Sequence, residues 1–154
     1  MELTPLEDLY EARLPAFRRV AAGITGSRES ARDVVQEAFV TAVRKRRSFR
    51  GDGSLEAWVW RIVINTARNH RRRDTARSRA EAVAAPLGEG EPFARELPLH
   101  VLTDRQREVV FLHYFADLGY EEIAAALAIS SGTVGATLNA ARTALRRAMT
   151  EVTA

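Results

Sequence analysis

The sequence predicts an all-α protein of two small helical domains joined by a flexible linker, on three observations. Apolar residues recur at helical spacing in two blocks, strand-type alternation is absent throughout, and an acidic segment bearing Pro and Gly separates the blocks. The boundaries read this way are residues 1–73, a linker over 74–99, and residues 100–154. With 154 residues and 46% hydrophobic content, the chain is long enough to bury a core.

Along the chain, Leu9, Leu14, Phe17, Val20 and Ala21 mark a first amphipathic helix, which Gly23 and Gly26 are expected to break. Ser27 or Ser30 caps a second helix built on Val34, Val35, Ala38, Phe39, Ala42 and Val43, which runs to the cluster Arg44, Lys45, Arg46 and Arg47. After the turn residues Gly51, Asp52 and Gly53, Ser54 is a natural N-cap, with Glu56 at the positive end of the helix dipole. The third helix is expected to turn Leu55, Trp58, Val59, Ile62 and Val63 to the core and to end near Arg71, Arg72 and Arg73. The linker holds Pro86, Pro92, Pro98, Gly88 and Gly90; its alanines and arginines are compatible with a residual helix over 75–85. In the second domain Thr103 and Gln106 form a capping box ahead of Val109, Val110, Leu112 and Phe115, and Gly119 suits a helix C-terminus. Tyr120 to Leu127 reads as a short helix, and Ser130 or Ser131 caps a last one carrying Val134, Leu138, Ala141 and Leu145.

The net charge of +3 conceals an uneven distribution. Residues 44–79 hold 12 basic and 3 acidic side chains, whereas 80–103 hold 1 and 4. Such a block points to a polyanionic partner. The absence of cysteine rules out a disulfide framework and thiolate metal sites, and Met1 to Pro15 lack the basic start and apolar run of a signal peptide. No stretch approaches a membrane span, so a soluble, cytoplasmic protein without membrane insertion is expected. An enzyme is the weakest class. His70, His100 and His113 are widely spaced without an HExxH pattern, and neither a Gly-rich phosphate loop nor a nucleophile elbow is present. Neither catalytic residues nor a metal or cofactor are therefore expected.

Two segments carry binding chemistry. From Tyr120 to Val134 the chain has the make-up of a helix-turn-helix, with small Ala124 at the crossing, Ile123, Leu127, Ile129, Val134 and Leu138 as shared core, and the turn at 128–130. Its second helix offers Ser131, Thr133, Thr137 and Asn139 but no cation before Arg142. From Arg44 to Arg73, cations are interleaved with Phe49, Trp58, Trp60, Asn65, Asn69 and His70, a mixture suited to melted or single-stranded nucleic acid. Trp58 shares a helical face with Ile62 and reads as core; Trp60 lies off that face and reads as the freer ring.

Three segments in order carry a family resemblance: Asp33-Val-Val-Gln-Glu-Ala-Phe39; Ser48 to Trp58 followed by Arg61 to Asn65; and Leu102 to Val110 ahead of the helix-turn-helix. Together they resemble the extracytoplasmic-function branch of bacterial sigma-70 family sigma factors, over about residues 9–149. The resemblance implies that the first domain is region 2, a three-helix bundle that binds the polymerase clamp and melts the minus-10 element. The second is implied to be region 4, which binds the polymerase flap and reads the minus-35 element. Asp33, Gln36, Glu37 and Phe39 then fall on the polymerase-binding helix. Arg46, Arg47, Phe49, Arg50, Asp52, Trp60, Arg61, Asn65, Asn69 and Arg72 become the minus-10 set, with Trp58 on the same adjoining helix, and Ser131, Thr133, Thr137, Asn139 and Arg142 the minus-35 set. The implied partners are bacterial core RNA polymerase, promoter DNA and an anti-sigma factor. The chain departs from the family pattern after Thr133-Val134, where Gly135, Thr137 and Ala140 replace cationic contacts. Two other readings stay open: a regulatory interaction protein that keeps the sigma scaffold without reading promoters, and a helix-turn-helix repressor.

Overall fold

A computed structural model describes the backbone of residues 1–81 and 97–153, and side chains over 1–77 and 97–151. The described residues form α1 (Thr4–Thr25), α2 (Arg28–Arg44), α3 (Leu55–Glu81), α4 (Asp104–Tyr114), α5 (Tyr120–Leu127) and α6 (Ser131–Thr153), with 3-10 turns at Arg46–Ser48 and Leu99–Val101. Among these residues there is no strand.

The caps act as the sequence predicts. Ser27 Oγ accepts from the Ser30 amide at 3.2 Å, Ser54 Oγ from the Ala57 amide at 3.0 Å, and Ser130 Oγ from the Thr133 amide at 3.1 Å. Thr103 and Gln106 close both halves of their capping box. Two expected stops differ. Gly23 does not break α1, which runs on to Thr25 and ends at Gly26 in the left-handed region with φ 79°. Gly119 does not end a helix; in extended backbone it precedes α5, and α4 has already ended at Tyr114.

Helix α3 is longer than expected. It passes Arg73 and continues to Glu81, because 71–81 is rich in arginine and alanine and holds no helix breaker. Residues 74–81 are therefore helix rather than linker, and the part of the expected residual helix beyond 81 lies outside the described residues. The face that α3 buries is also rotated from the expected one. Trp60, Val63, Ile64 and Ala67 form its inner stripe with Val59, while Leu55, Trp58 and Ile62 are half-buried at its edges. Trp60 is the largest fully buried side chain, with its ring 4.4 Å from that of Phe17.

The two halves are packed together rather than held apart. Core residues of both form one continuous cluster, with α1 against α4 and α3 against α5. Gly23 explains why: a Cβ there would lie 2.4 Å from the Phe111 ring, so only glycine lets this aromatic of the second half seat on α1. Ion pairs and hydrogen bonds flank the contact. Arg13 bonds Glu56 at 2.7 Å and also donates to the Ala116 carbonyl. Arg68 forks both oxygens of Glu108, at 2.8 and 2.5 Å.

Replacing Trp60 by Ala removes the centre of the first bundle, and we expect urea unfolding to show a loss of about 3–5 kcal/mol. Trp58→Ala is expected to cost less than half as much in the same measurement, because its ring is only half-buried.

Candidate nucleic-acid interface

The basic block is presented by one turn and one helix face. After α2 the chain makes the 3-10 turn Arg46–Ser48, then a loop over 49–54 in which Gly51 and Gly53 adopt φ of 79° and 90°. Space is free around both glycines, so backbone conformation rather than packing requires them. They fold the loop back so that Phe49 meets Trp58 on the first turns of α3, with ring centroids 5.4 Å apart. Both rings are half-buried and form an aromatic ledge beside the loop that carries the exposed Arg50 and Asp52, with exposed Arg47 before it. Arg46 is more enclosed, donating to the Val43 carbonyl at 2.7 Å as a cap on α2.

Trp60, expected to reach nucleic acid, is in the core, so that expectation is corrected: Trp58 is the indole beside the loop. The helical register is the cause, since Trp60 falls on the same stripe as Ile64 and Ala67. Its Nε1 donates to Glu56 at 3.3 Å, which satisfies the ring inside the bundle. Trp58, which periodicity reads as core and the resemblance sets beside the loop, packs against the core from the flank of a broad apolar face and stays half-buried.

Arg61, Asn65, Asn69 and Arg72 do share one face of α3, and all four are exposed. In the packed arrangement that face borders the second half. Arg61 donates to the Ala125 carbonyl of α5 at 2.7 Å, and Asn65 Oδ1 accepts from Arg68 Nη1 at 3.3 Å. Glu108, the target of the Arg68 fork, is 3% exposed. Its hydrogen bonds raise the Arg68 guanidinium above the ordinary arginine pKa, against the opposing effect of burial. Periodicity gave no signal for Arg68, which is one of several arginines in the block.

On α2, Asp33, Gln36 and Glu37 are exposed on one face, joined by Val40, an exposed apolar side chain that the motif reading did not select. Glu37 pairs with His70 at 2.7 Å. Phe39 is 9% exposed and meets Tyr10 and Phe17 edge-on, at 4.8 and 5.3 Å. It is core, and its expected surface contact is corrected on that ground.

In the helix-turn-helix the axes of α5 and α6 meet at 103°, and Ala128 makes the turn in the left-handed region with φ 57°. Thr133 and Asn139 are exposed, and Ser131 and Thr137 are half-buried. Arg142 is already engaged: its Nε donates to the Tyr114 hydroxyl at 2.8 Å. Gly135 lies under Tyr120, where a Cβ would sit 3.4 Å from the ring. His113 is a structural residue, with Nδ1 3.0 Å from the Leu118 carbonyl and its ring packed against Tyr120. Among the described residues no cluster of metal-binding side chains occurs, and no single helix is long and apolar enough to cross a membrane.

Family models for sigma-70 region 2 and sigma-70 region 4 match residues 9–77 and 99–149. The RNA polymerase sigma factor YlaC of Bacillus subtilis is 31% identical over 95% of this chain and 92% of its own. The ECF RNA polymerase sigma-E factor of Escherichia coli is 34% identical over 73% of this chain and 70% of its own. The structure of CnrH in complex with the cytosolic domain of CnrY aligns with a TM-score of 0.75 and 25% identity, covering 97% of this chain and 90% of that one. The fold is shared with the sigma factor RpoE of Bartonella quintana, solved with the anti-sigma factor NepR, at a TM-score of 0.76 and 24% identity over 96% of this chain and 98% of that one. Two regional models matched in order, together with relatives above 30% identity over most of both chains, establish that this chain belongs to the extracytoplasmic-function branch of the sigma-70 family of sigma factors.

Proposed function

We propose that the chain directs core RNA polymerase to a set of promoters in the bacterial cytoplasm and opens them at the minus-10 element. The carrying observation is the loop over 49–54, where an exposed cation and carboxylate share a short loop with Phe49, whose ring pairs with Trp58 at the start of α3. A flipped base needs a stacking surface and polar groups for its edge, and a nearby cation for its phosphate. The ledge, Asp52 and Arg50 are of those three kinds. The protein contributes binding energy here, and polymerase makes the bonds. Asp33, Gln36, Glu37 and Val40 form the surface of α2 offered to polymerase, and an anti-sigma factor is a further partner.

Promoter binding requires the halves to part, because Arg61 and Arg68 of the DNA-facing helix are bonded to the second half. The second half contributes less to affinity. Its recognition helix offers hydroxyls and one amide, and its first arginine is held by Tyr114. That observation also favours a second reading, in which region 4 serves as a protein contact and region 2 alone reads DNA.

Reconstituted transcription with core polymerase from the same organism tests the proposal, and promoter-dependent initiation from a selected genomic template is the expected result. Failure on every template would refute it. Within that assay, Trp58→Ala is expected to lower open-complex formation by about 5- to 150-fold, the equivalent of one lost base–aromatic stack of about 1–3 kcal/mol. Arg50→Ala is expected to reduce the salt dependence of holoenzyme binding by about one phosphate contact, whereas Arg142→Ala leaves it unchanged. For the parting of the halves, Glu108→Gln releases the Arg68 fork. We expect a pair of fluorophores on α2 and α6 to report a larger separated population in the free chain.

A further inference from the structure

Between α3 and α4, at the junction of the two halves, lies an open cleft of about 650 Å³. Its charged lining is Arg68, Arg71 and Arg72 from α3, and Asp104, Arg105 and Glu108 from α4. A second hollow of about 480 Å³ continues it, sharing Arg71 and adding Arg107 and Asp74. Five arginines therefore meet three carboxylates, a surplus of two positive charges. The carboxylates on α4 are already engaged. Glu108 is held by the Arg68 fork, and Asp104 pairs with Arg71 at 2.8 Å.

Two of the remaining arginines keep a buried N–H group without an acceptor. Arg105 Nη1 is buried without a hydrogen-bond partner, and its approach to Glu108, at 3.9 Å, is too long for a hydrogen bond. Arg107 Nε is likewise buried without a partner, although the same guanidinium donates through Nη2 to the Leu99 carbonyl. Burial, and then the charge of Arg71, lower the pKa of Arg107. Arg72 is exposed at the rim. Surface arginines normally turn their N–H groups to water, so two buried and unanswered N–H groups among like charges form an environment short of an anion.

We infer that this cleft binds a small oligophosphate, either free pyrophosphate or the phosphate tail of a nucleotide, and that the bound anion clamps the two halves together. Planar guanidinium forks match phosphate oxygens, the surplus of two charges calls for a multiply charged ligand, and the space exceeds a single ion. The donors come from both halves, so the complete site exists only in the packed arrangement. A ligand that binds one arrangement and not the other shifts the population toward it. The effect on promoter binding rests on the proposed function above, because only there does parting expose the DNA-facing helix; binding of the anion does not depend on it.

The full-length chain, free of polymerase, is titrated calorimetrically with pyrophosphate and with ATP, against sodium chloride of matched ionic strength. Saturable one-to-one binding and a rise in melting temperature are expected. Arg105→Gln and the exposed Arg72→Gln should each weaken binding by about tenfold or more, and Arg19→Gln, remote on α1, should leave it intact. Tighter binding of ATP than of pyrophosphate assigns the site to a nucleotide, and equal binding assigns it to the inorganic anion. The α2–α6 fluorophore pair should report a larger packed population with ligand. No saturable binding at millimolar ligand, or binding insensitive to both cleft variants, overturns the inference. Circular dichroism of each variant separates a lost site from a lost fold. Anion binding together with a failed transcription reconstitution would refute the proposed function and leave this site standing.

Discussion

Glu108 is a carboxylate almost removed from water, and a guanidinium from the other half of the molecule satisfies it. Breaking such a pair by taking away one partner typically costs about 3–5 kcal/mol, because the charge left behind is desolvated. The arrangement of the halves follows from that constraint. While they are packed, Arg68 supplies two hydrogen bonds and Phe111 fills the space left by Gly23. Once they part, Glu108 regains water and the pair loses little by separating. The ion pair therefore resists loss of one partner more than separation of the halves, while the buried Phe111 holds the packed arrangement by its apolar surface.

That contact was the least legible part of the sequence. Caps were readable because they depend on two or three neighbouring residues, as at Ser27, Thr103 with Gln106, and Ser130. The helix-turn-helix was readable for the same local reason. Gly23 looked like a helix breaker because nothing nearby in sequence shows that an aromatic 88 positions away requires its missing Cβ. The two indoles rank in burial opposite to the periodicity reading for a related reason. Helix α3 meets the first bundle on one side and α5 on another, so its apolar face is broad and periodicity alone does not fix the centre. Phe39 lay in a family motif whose exposed members carry the surface chemistry, yet its own ring completes an aromatic cluster with Tyr10 and Phe17.

The uneven charge also gains a physical reading. The strongly basic block includes the 3-10 turn and the loop after it, with the exposed cations Arg47 and Arg50, and the face of α3 that carries Arg61 and Arg72. Helix α6 carries no charged side chain before Arg142, and Gly135 there packs against Tyr120 instead of carrying a cation. Sequence reading marked the missing cations as a departure from the family. The structure adds that Tyr120 occupies part of the surface they would have used, and that Tyr114 engages the next arginine.

In the proposed function, helix α3 presents one stripe of arginine and asparagine to two competing partners, the second half and DNA. A guanidinium that donates to the Ala125 carbonyl or to Glu108 has fewer N–H groups to offer phosphate. In the proposed function each such group released by parting becomes available to DNA, which links domain separation and promoter affinity through the same side chains. The linkage depends on arginine more than on charge alone, because a fork can satisfy a buried carboxylate in one state and a phosphate in the other with the same geometry. A lysine at 68 would keep the charge but lose the two-point hold on Glu108, weakening the packed state more than the DNA-bound one. The near absence of lysine from this block therefore has a structural consequence at this position, whatever its origin in composition.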